Sequence, residues 1–83
     1  MSAVRWHRNA RGHLEEVPVR LRRRMLRATR PLARFPRLGV AIDADPPGQR
    51  RLVVAGWSVV YTYDEVNDVV SILALVTPGR LLQ

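Results

Sequence analysis

The spacing of apolar and polar positions changes along this chain, and the change marks out its elements. From Arg50 to Arg80 the sequence reads RRLVVAGWSVVYTYDEVNDVVSILALVTPGR. Three apolar runs, Leu52 to Ala55, Trp57 to Tyr63 and Val69 to Val76, are rich in β-branched and aromatic residues and are separated by turn formers. That pattern predicts a three-stranded antiparallel meander. In the middle run Trp57, Val59, Tyr61 and Tyr63 alternate with Ser58, Val60 and Thr62, giving one apolar and one mixed face. The last run is apolar on both faces, with Val70, Ile72, Ala74 and Val76 on one and Val69, Leu73 and Leu75 on the other. Such a strand is expected to be central and covered on both sides. It needs two neighbours, and the meander supplies one. Val4-Arg5-Trp6-His7 alternates in the same way and predicts a short N-terminal strand as the second.

Between these strands the period lengthens to that of helices. Asn9 is the expected N-cap of a first helix, along which Ala10, Leu14 and Val17 form a stripe. This helix is short and contains Gly12, so it depends on packing against the sheet. Pro18 suits the first turn of a second helix. There Leu21, Met25, Ala28, Leu32 and Phe35 recur at spacings of four and three, a stripe that would lie on the sheet. Pro31 interrupts it and predicts a kink, or a stop and a fresh turn, near Thr29 to Pro31. Val40 to Gln49 reads as an irregular connection, with Asp43, Asp45 and Pro46-Pro47-Gly48 as turn residues. Asp64 to Asp68 reads as a hairpin loop, and Thr77-Pro78-Gly79 as the stop of the last strand. Together these elements predict an α+β fold: a short N-terminal strand, a helical hairpin and a meander, with residues 1–83 as one domain.

Charge changes the picture on the second helix. Arg23, Arg27, Arg30 and Arg34 lie opposite its apolar stripe, with Arg20 and Arg24 on the flanks, and no acidic residue occurs between Val17 and Ile42. Like charges one turn apart cost roughly 0.2 to 0.5 kcal/mol per pair, a repulsion that an anionic partner relieves. The whole chain carries a formal charge of +7, and all 14 of its cationic side chains are arginine. Exclusive use of arginine is also what a GC-rich genome produces, but the charge itself favours nucleic acid, a ribosome or an acidic protein segment as partner.

The remaining composition mostly excludes. There is no cysteine, so neither a disulfide nor a thiolate metal site is expected. Asp43 and Asp45 have no third ligand at a metal-binding spacing, and no phosphate-cradling glycine loop occurs, so no metal and no cofactor is expected. His7 and His13 belong to no acid–base constellation. No apolar run reaches the length of a membrane span, and the first residues lack the apolar stretch of a signal peptide, which leads to the expectation of a cytoplasmic protein with no membrane partner.

The order and spacing of Phe35-Pro36-Arg37-Leu38-Gly39, Arg50-Arg51-Leu52, Val59-Val60-Tyr61, Val70-Ser71-Ile72-Leu73 and a closing Arg80 resemble the RelE/ParE superfamily of toxins from type II toxin-antitoxin systems. The resemblance runs from about Val4 to Arg80. It implies a growth-inhibitory toxin that forms a hetero-oligomer with a cognate antitoxin, whose disordered acidic or amphipathic segment covers helices and sheet edge. It also offers two modes of action. RelE-type toxins cleave messenger RNA in the ribosome without a metal, and ParE-type toxins poison DNA gyrase.

A nuclease would draw on Arg50, Arg51 and Arg80 as cations and Tyr61 or Tyr63 as a phenol. The set departs from the RelE pattern, because Ser58 stands where an arginine is common, lysines are absent, and Thr77 stands where a late tyrosine or histidine is used. Arginine does not serve as a base near neutral pH. The basic and partly aromatic run RRLVVAGWSVVYTY with Arg80 looks closer to ParE. Binding of target or antitoxin is therefore expected at Arg23, Arg27, Arg30, Arg34, Arg51, Trp57 and Arg80, with the RelE-like endoribonuclease as the alternative. A degenerate, non-toxic basic module that binds RNA or protein is a further alternative.

Overall fold

The computed structural model describes residues 1–77; Arg80, Leu81 and Leu82 lie outside them. A strand β1 (Ala3–Trp6) leads directly into helix α1 (Arg8–Glu16), and helix α2 (Val19–Thr29) is followed by a 3-10 turn at Arg30–Ala33. Four strands complete the fold: β2 (Val40–Ala41), β3 (Gln49–Val54), β4 (Trp57–Asp64) and β5 (Val69–Val76). They form one five-stranded sheet in the order β1-β5-β4-β3-β2. β1 runs parallel to β5, with Val4 opposite Val70 and Trp6 opposite Ile72, and the other pairings are antiparallel. The N-terminal strand is therefore the second neighbour that the central strand requires.

Helices and sheet share one core. Ala10, Val17, Met25 and Leu32 from the helical layer meet Val54, Val59, Tyr61, Val70, Ile72 and Leu75 from the sheet. Both helices lie on this side, so β5 is central but helix-covered on one face only. The expected division of its side chains also changes midway. Val60 pairs with Ala74 and Tyr61 with Ile72, which leaves Leu73 as a bulge. The extra residue shifts the alternation by one, so that Ile72 and Leu75 both point into the core.

Several local expectations are corrected by the backbone. His7, not Asn9, caps α1: its N–H still bonds the Ile72 carbonyl, and its ring accepts the Asn9 N–H at 3.3 Å. The turn into the helix therefore follows the strand at once. α2 stops at Thr29, as Pro31 predicts, and the buried Thr29 hydroxyl bonds back to the Met25 carbonyl at 2.9 Å. Because regular helix ends there, Phe35 falls off the apolar stripe and is 61% exposed. The connection from Val40 to Gln49 opens with β2, which pairs Val40 with Arg51 and Ala41 with Arg50. β3 accordingly begins at Gln49, earlier than its apolar run.

The β3–β4 turn is Ala55-Gly56, both with positive φ (52° and 82°). Two such residues make the tight hairpin turn whose twist matches the strands, and alanine is strained there. Gly12, by contrast, is exposed mid-helix with open space around it. Ala55→Gly is expected to stabilise the protein by about 1 kcal/mol, and Gly12→Ala by about 0.5 to 1 kcal/mol. Urea unfolding of each variant against the parent checks both values.

Candidate functional site

Residues paired across a ladder stand on the same face of a sheet, so the register assigns every strand side chain. On the face away from the helices, Arg5, Ser71, Thr62 and Gln49 form one row across four strands. Beside it runs a second row, Ala74, Val60, Arg51 and Val40. Val76, Ser58 and Val53 make a third. Ser58 is fully buried, with no hydrogen-bond partner for its hydroxyl among the described residues. Arg51 is half-buried, while Val40 and Val53 are 69% and 57% exposed.

The strand alternation separates Arg50 from Arg51. Arg50 faces the helix side, where its Nη1 donates to the Gly39 carbonyl at 2.8 Å and to the Arg37 carbonyl at 3.4 Å. Tyr61 is on that side too, fully buried, its hydroxyl accepting the Gly39 N–H at 2.8 Å. Trp57 also faces the helices and lines a cavity of about 120 Å³ with His13, Glu16 and Leu75. Of the nuclease candidates, Arg50 and Tyr61 thus stand on one face and Arg51 on the other.

Arg23, Arg27, Arg30 and Arg34 are all exposed, as are Arg20 and Arg24. Among the described residues, the one ion pair is Arg37 with Glu65, in another part of the molecule. Next to Arg30 a groove of about 520 Å³ runs between α2 and the free edge of β1, lined by Val4, Trp6, Leu26 and Ala33. The basic helix face and an open strand edge therefore meet at one apolar groove.

The hairpin loop at the far end of the sheet is held by a polar network. The Ser2 hydroxyl and the Tyr63 hydroxyl both donate to Asp68 Oδ1, at 2.5 and 2.7 Å, and the Arg37 guanidinium sits 5.3 Å from the centre of the Tyr63 ring. These donors, Ser2 first, hold the Asp68 carboxyl below the usual value, and the same bond raises the Tyr63 phenol. Asp64 is lowered by the Asn67 side chain and by backbone N–H groups of its own turn.

Three of these features escaped sequence reasoning. Arg5 was readable, since Val4 and Trp6 point inward and so place it outward. Arg22 was not distinguishable within Arg22-Arg23-Arg24, yet it alone turns back to bond the Leu14, Glu15 and Val17 carbonyls at the end of α1. The bonds from Ser2 and Tyr63 to Asp68 join residues 66 and five positions apart, and no local pattern announces the longer one.

A family model for the ParE toxin of the type II toxin-antitoxin system parDE matches residues 4–80. The chain belongs to the ParE toxin family. Solved structures agree with the fold. The toxin-antitoxin complex RelBE2 of Mycobacterium tuberculosis superposes with a TM-score of 0.81 at 24% identity, over 92% of this chain and 96% of that one. The intact RelBE complex of Escherichia coli gives 0.80 at 13% identity, over 93% and 96%. The chromosomal ParDE system of Pseudomonas aeruginosa gives 0.74 at 16% identity, over the same shares. No curated protein sequence matches the chain significantly. The family assignment thus rests on the sequence model, and the ParE and RelE structures establish a shared architecture.

Two expected outcomes follow from the contacts. A Cβ at Gly39 would lie 2.8 Å from both the Arg51 carbonyl oxygen and the Tyr61 ring, so Gly39→Ala is expected to cost about 1 to 3 kcal/mol in urea unfolding. Asp68 has a folded pKa below its unfolded value of 3.8, so its contribution is present above that value and is lost as pH falls through the lower folded one. The fall in urea midpoint below pH 4 is expected to be shallower in Asp68→Asn than in the parent.

Proposed function

We propose that this ParE-family toxin arrests growth by acting on DNA gyrase without cutting nucleic acid itself, and that a cognate antitoxin neutralises it. The observation that carries the reading is where the proton-transfer groups lie. Metal-free cleavage of RNA needs a base, an acid and cations around one phosphate. Tyr61 is sealed beneath Gly39, and Tyr63 faces the helix side. His7 and His13 belong to α1 and its cap. Asp64, at the end of β4, is committed to its own turn. The open face of the sheet offers Arg5 and Arg51 with hydroxyl and aliphatic neighbours, and residues 78–83 add no tyrosine, histidine or carboxylate side chain. That inventory suits a surface that binds, and it lacks the groups that a nuclease requires.

The antitoxin reading draws on the other side of the molecule. The similar M. tuberculosis and E. coli structures are toxin-antitoxin complexes. In this chain the exposed arginines of α2 suit acidic side chains, and the groove beside Leu26, Val4 and Trp6 suits an apolar stripe. An amphipathic acidic segment satisfies both at once. Its binding stabilises the folded toxin by mass action.

Induced expression, with messenger RNA and plasmid topology followed in the same cultures, tests the function. Growth arrest with intact messages and altered supercoiling is the expected result. Ribosome-dependent cleavage of messages would replace the gyrase reading with the RelE-type one. Normal growth with a folded protein present would leave a non-toxic binding module.

A further inference from the structure

Arg51 differs from every other described arginine in its surroundings. It sits in the interior of the sheet, with Val60 opposite on β4, Val40 opposite on β2, and Val53 two residues along its own strand. Arg51 is half-buried, and its guanidinium has no hydrogen-bond or ion-pair partner among the described residues. An arginine whose stem lies among aliphatic side chains presents an unpaired cation that a carboxylate can take up. Arg50, its neighbour in sequence, is already held by two carbonyls.

We propose that Arg51 is the centre of a protein-docking surface on the open face, taking an aspartate or glutamate side chain of the target between Val40, Val53 and Val60. This rests on the toxin reading given above and names the surface by which the target is met. An arginine in a ring of aliphatic side chains has the composition of an interface hot spot, where the apolar rim excludes water and strengthens the charged pair. Two observations favour a protein over nucleic acid. Trp6, Trp57, Tyr61 and Tyr63 all face the helix side, and Phe35 lies in the loop after the 3-10 turn, so the open face has no ring on which a base would stack. The exposed side chains nearest Arg51 are valines, and Arg5 lies on β1, with β5 and β4 between it and β3, rather than beside Arg51 in a basic track.

The test compares growth arrest by the parent, Arg51→Gln, Arg51→Glu and Val53→Asp across inducer concentrations. Urea midpoints and binding of a labelled poly-uridine oligonucleotide are measured on the purified proteins. Loss of a hot-spot arginine weakens binding by about 30-fold or more, so the expression level needed for arrest is expected to rise by a similar factor in both Arg51 variants. Val53→Asp sets a carboxylate against the incoming one on an exposed side chain. It is expected to act in the same direction with the urea midpoint unchanged, and so keeps the test valid if the Arg51 variants fold poorly. Arrest by Arg51→Gln and Val53→Asp at the parent's expression level would overturn the docking surface and leave the toxin reading standing. Loss of oligonucleotide binding in step with loss of arrest would overturn it in favour of nucleic acid. Failure of the parent to arrest growth would remove the docking surface and the toxin reading together.

Discussion

The contact between Gly39 and Tyr61 governs how the functional faces of this protein are laid out. The Gly39 N–H ends on the Tyr61 hydroxyl, its carbonyl takes the Arg50 guanidinium, and its missing side chain lets the chain pass within van der Waals reach of the ring. Both backbone polar groups of the buried Gly39 are thereby satisfied, as burial requires. The path out of the helical layer is fixed at that point, and β2 is laid against β3 one residue later. Arg50 is bound into that junction on the helix side. Strand alternation then turns Arg51 to the opposite face, where its side chain has no hydrogen-bond partner among the described residues.

The arginines consequently fall into groups that composition alone would merge. Arg22, Arg37 and Arg50 serve the fold: the first closes the end of α1, the second joins a loop carboxylate and an aromatic ring, and the third holds the Gly39 junction. Arg23, Arg27 and Arg30 are exposed and line one shallow groove of the helical layer, and Arg34 is exposed beyond the 3-10 turn. Arg5 and Arg51 stand on the opposite side of the sheet. The exposed arginines of the helical layer and those of the sheet are in this way held apart by the fold.

Much of this was legible in the sequence, and the rest was hidden for identifiable reasons. Alternation in Trp57 to Tyr63 placed Trp57, Val59, Tyr61 and Tyr63 on one face, and Pro31 located the end of α2. Alternation does not report a partner 22 residues away, so the Gly39 bond was invisible. A two-residue strand such as β2 is too short to show any period. The bulge at Leu73 reverses the phase within a run of apolar residues, where either phase looks equally plausible. Phe35 was misplaced because its stripe assumed that regular helix continues beyond Thr29. At the candidate site, residue types identified the basic surfaces, whereas separating Arg50 from Arg51 required the register of β3.

The parallel pairing of β1 with β5 has a consequence for how the chain comes into being. The first strand finds its neighbour only in the last one, with Ala3 beside Val69 and the Ser2 hydroxyl on Asp68, 66 residues on. Contacts between such distant positions form late, because a long loop must close before they can be made. During synthesis, β1 lacks this neighbour until β5 has been translated. A prematurely terminated product that ends before Val69 lacks the middle of the sheet and leaves β1 with nothing to join. The architecture therefore makes closure of the sheet conditional on translation through β5, and a copy that stops short of it does not reach this fold.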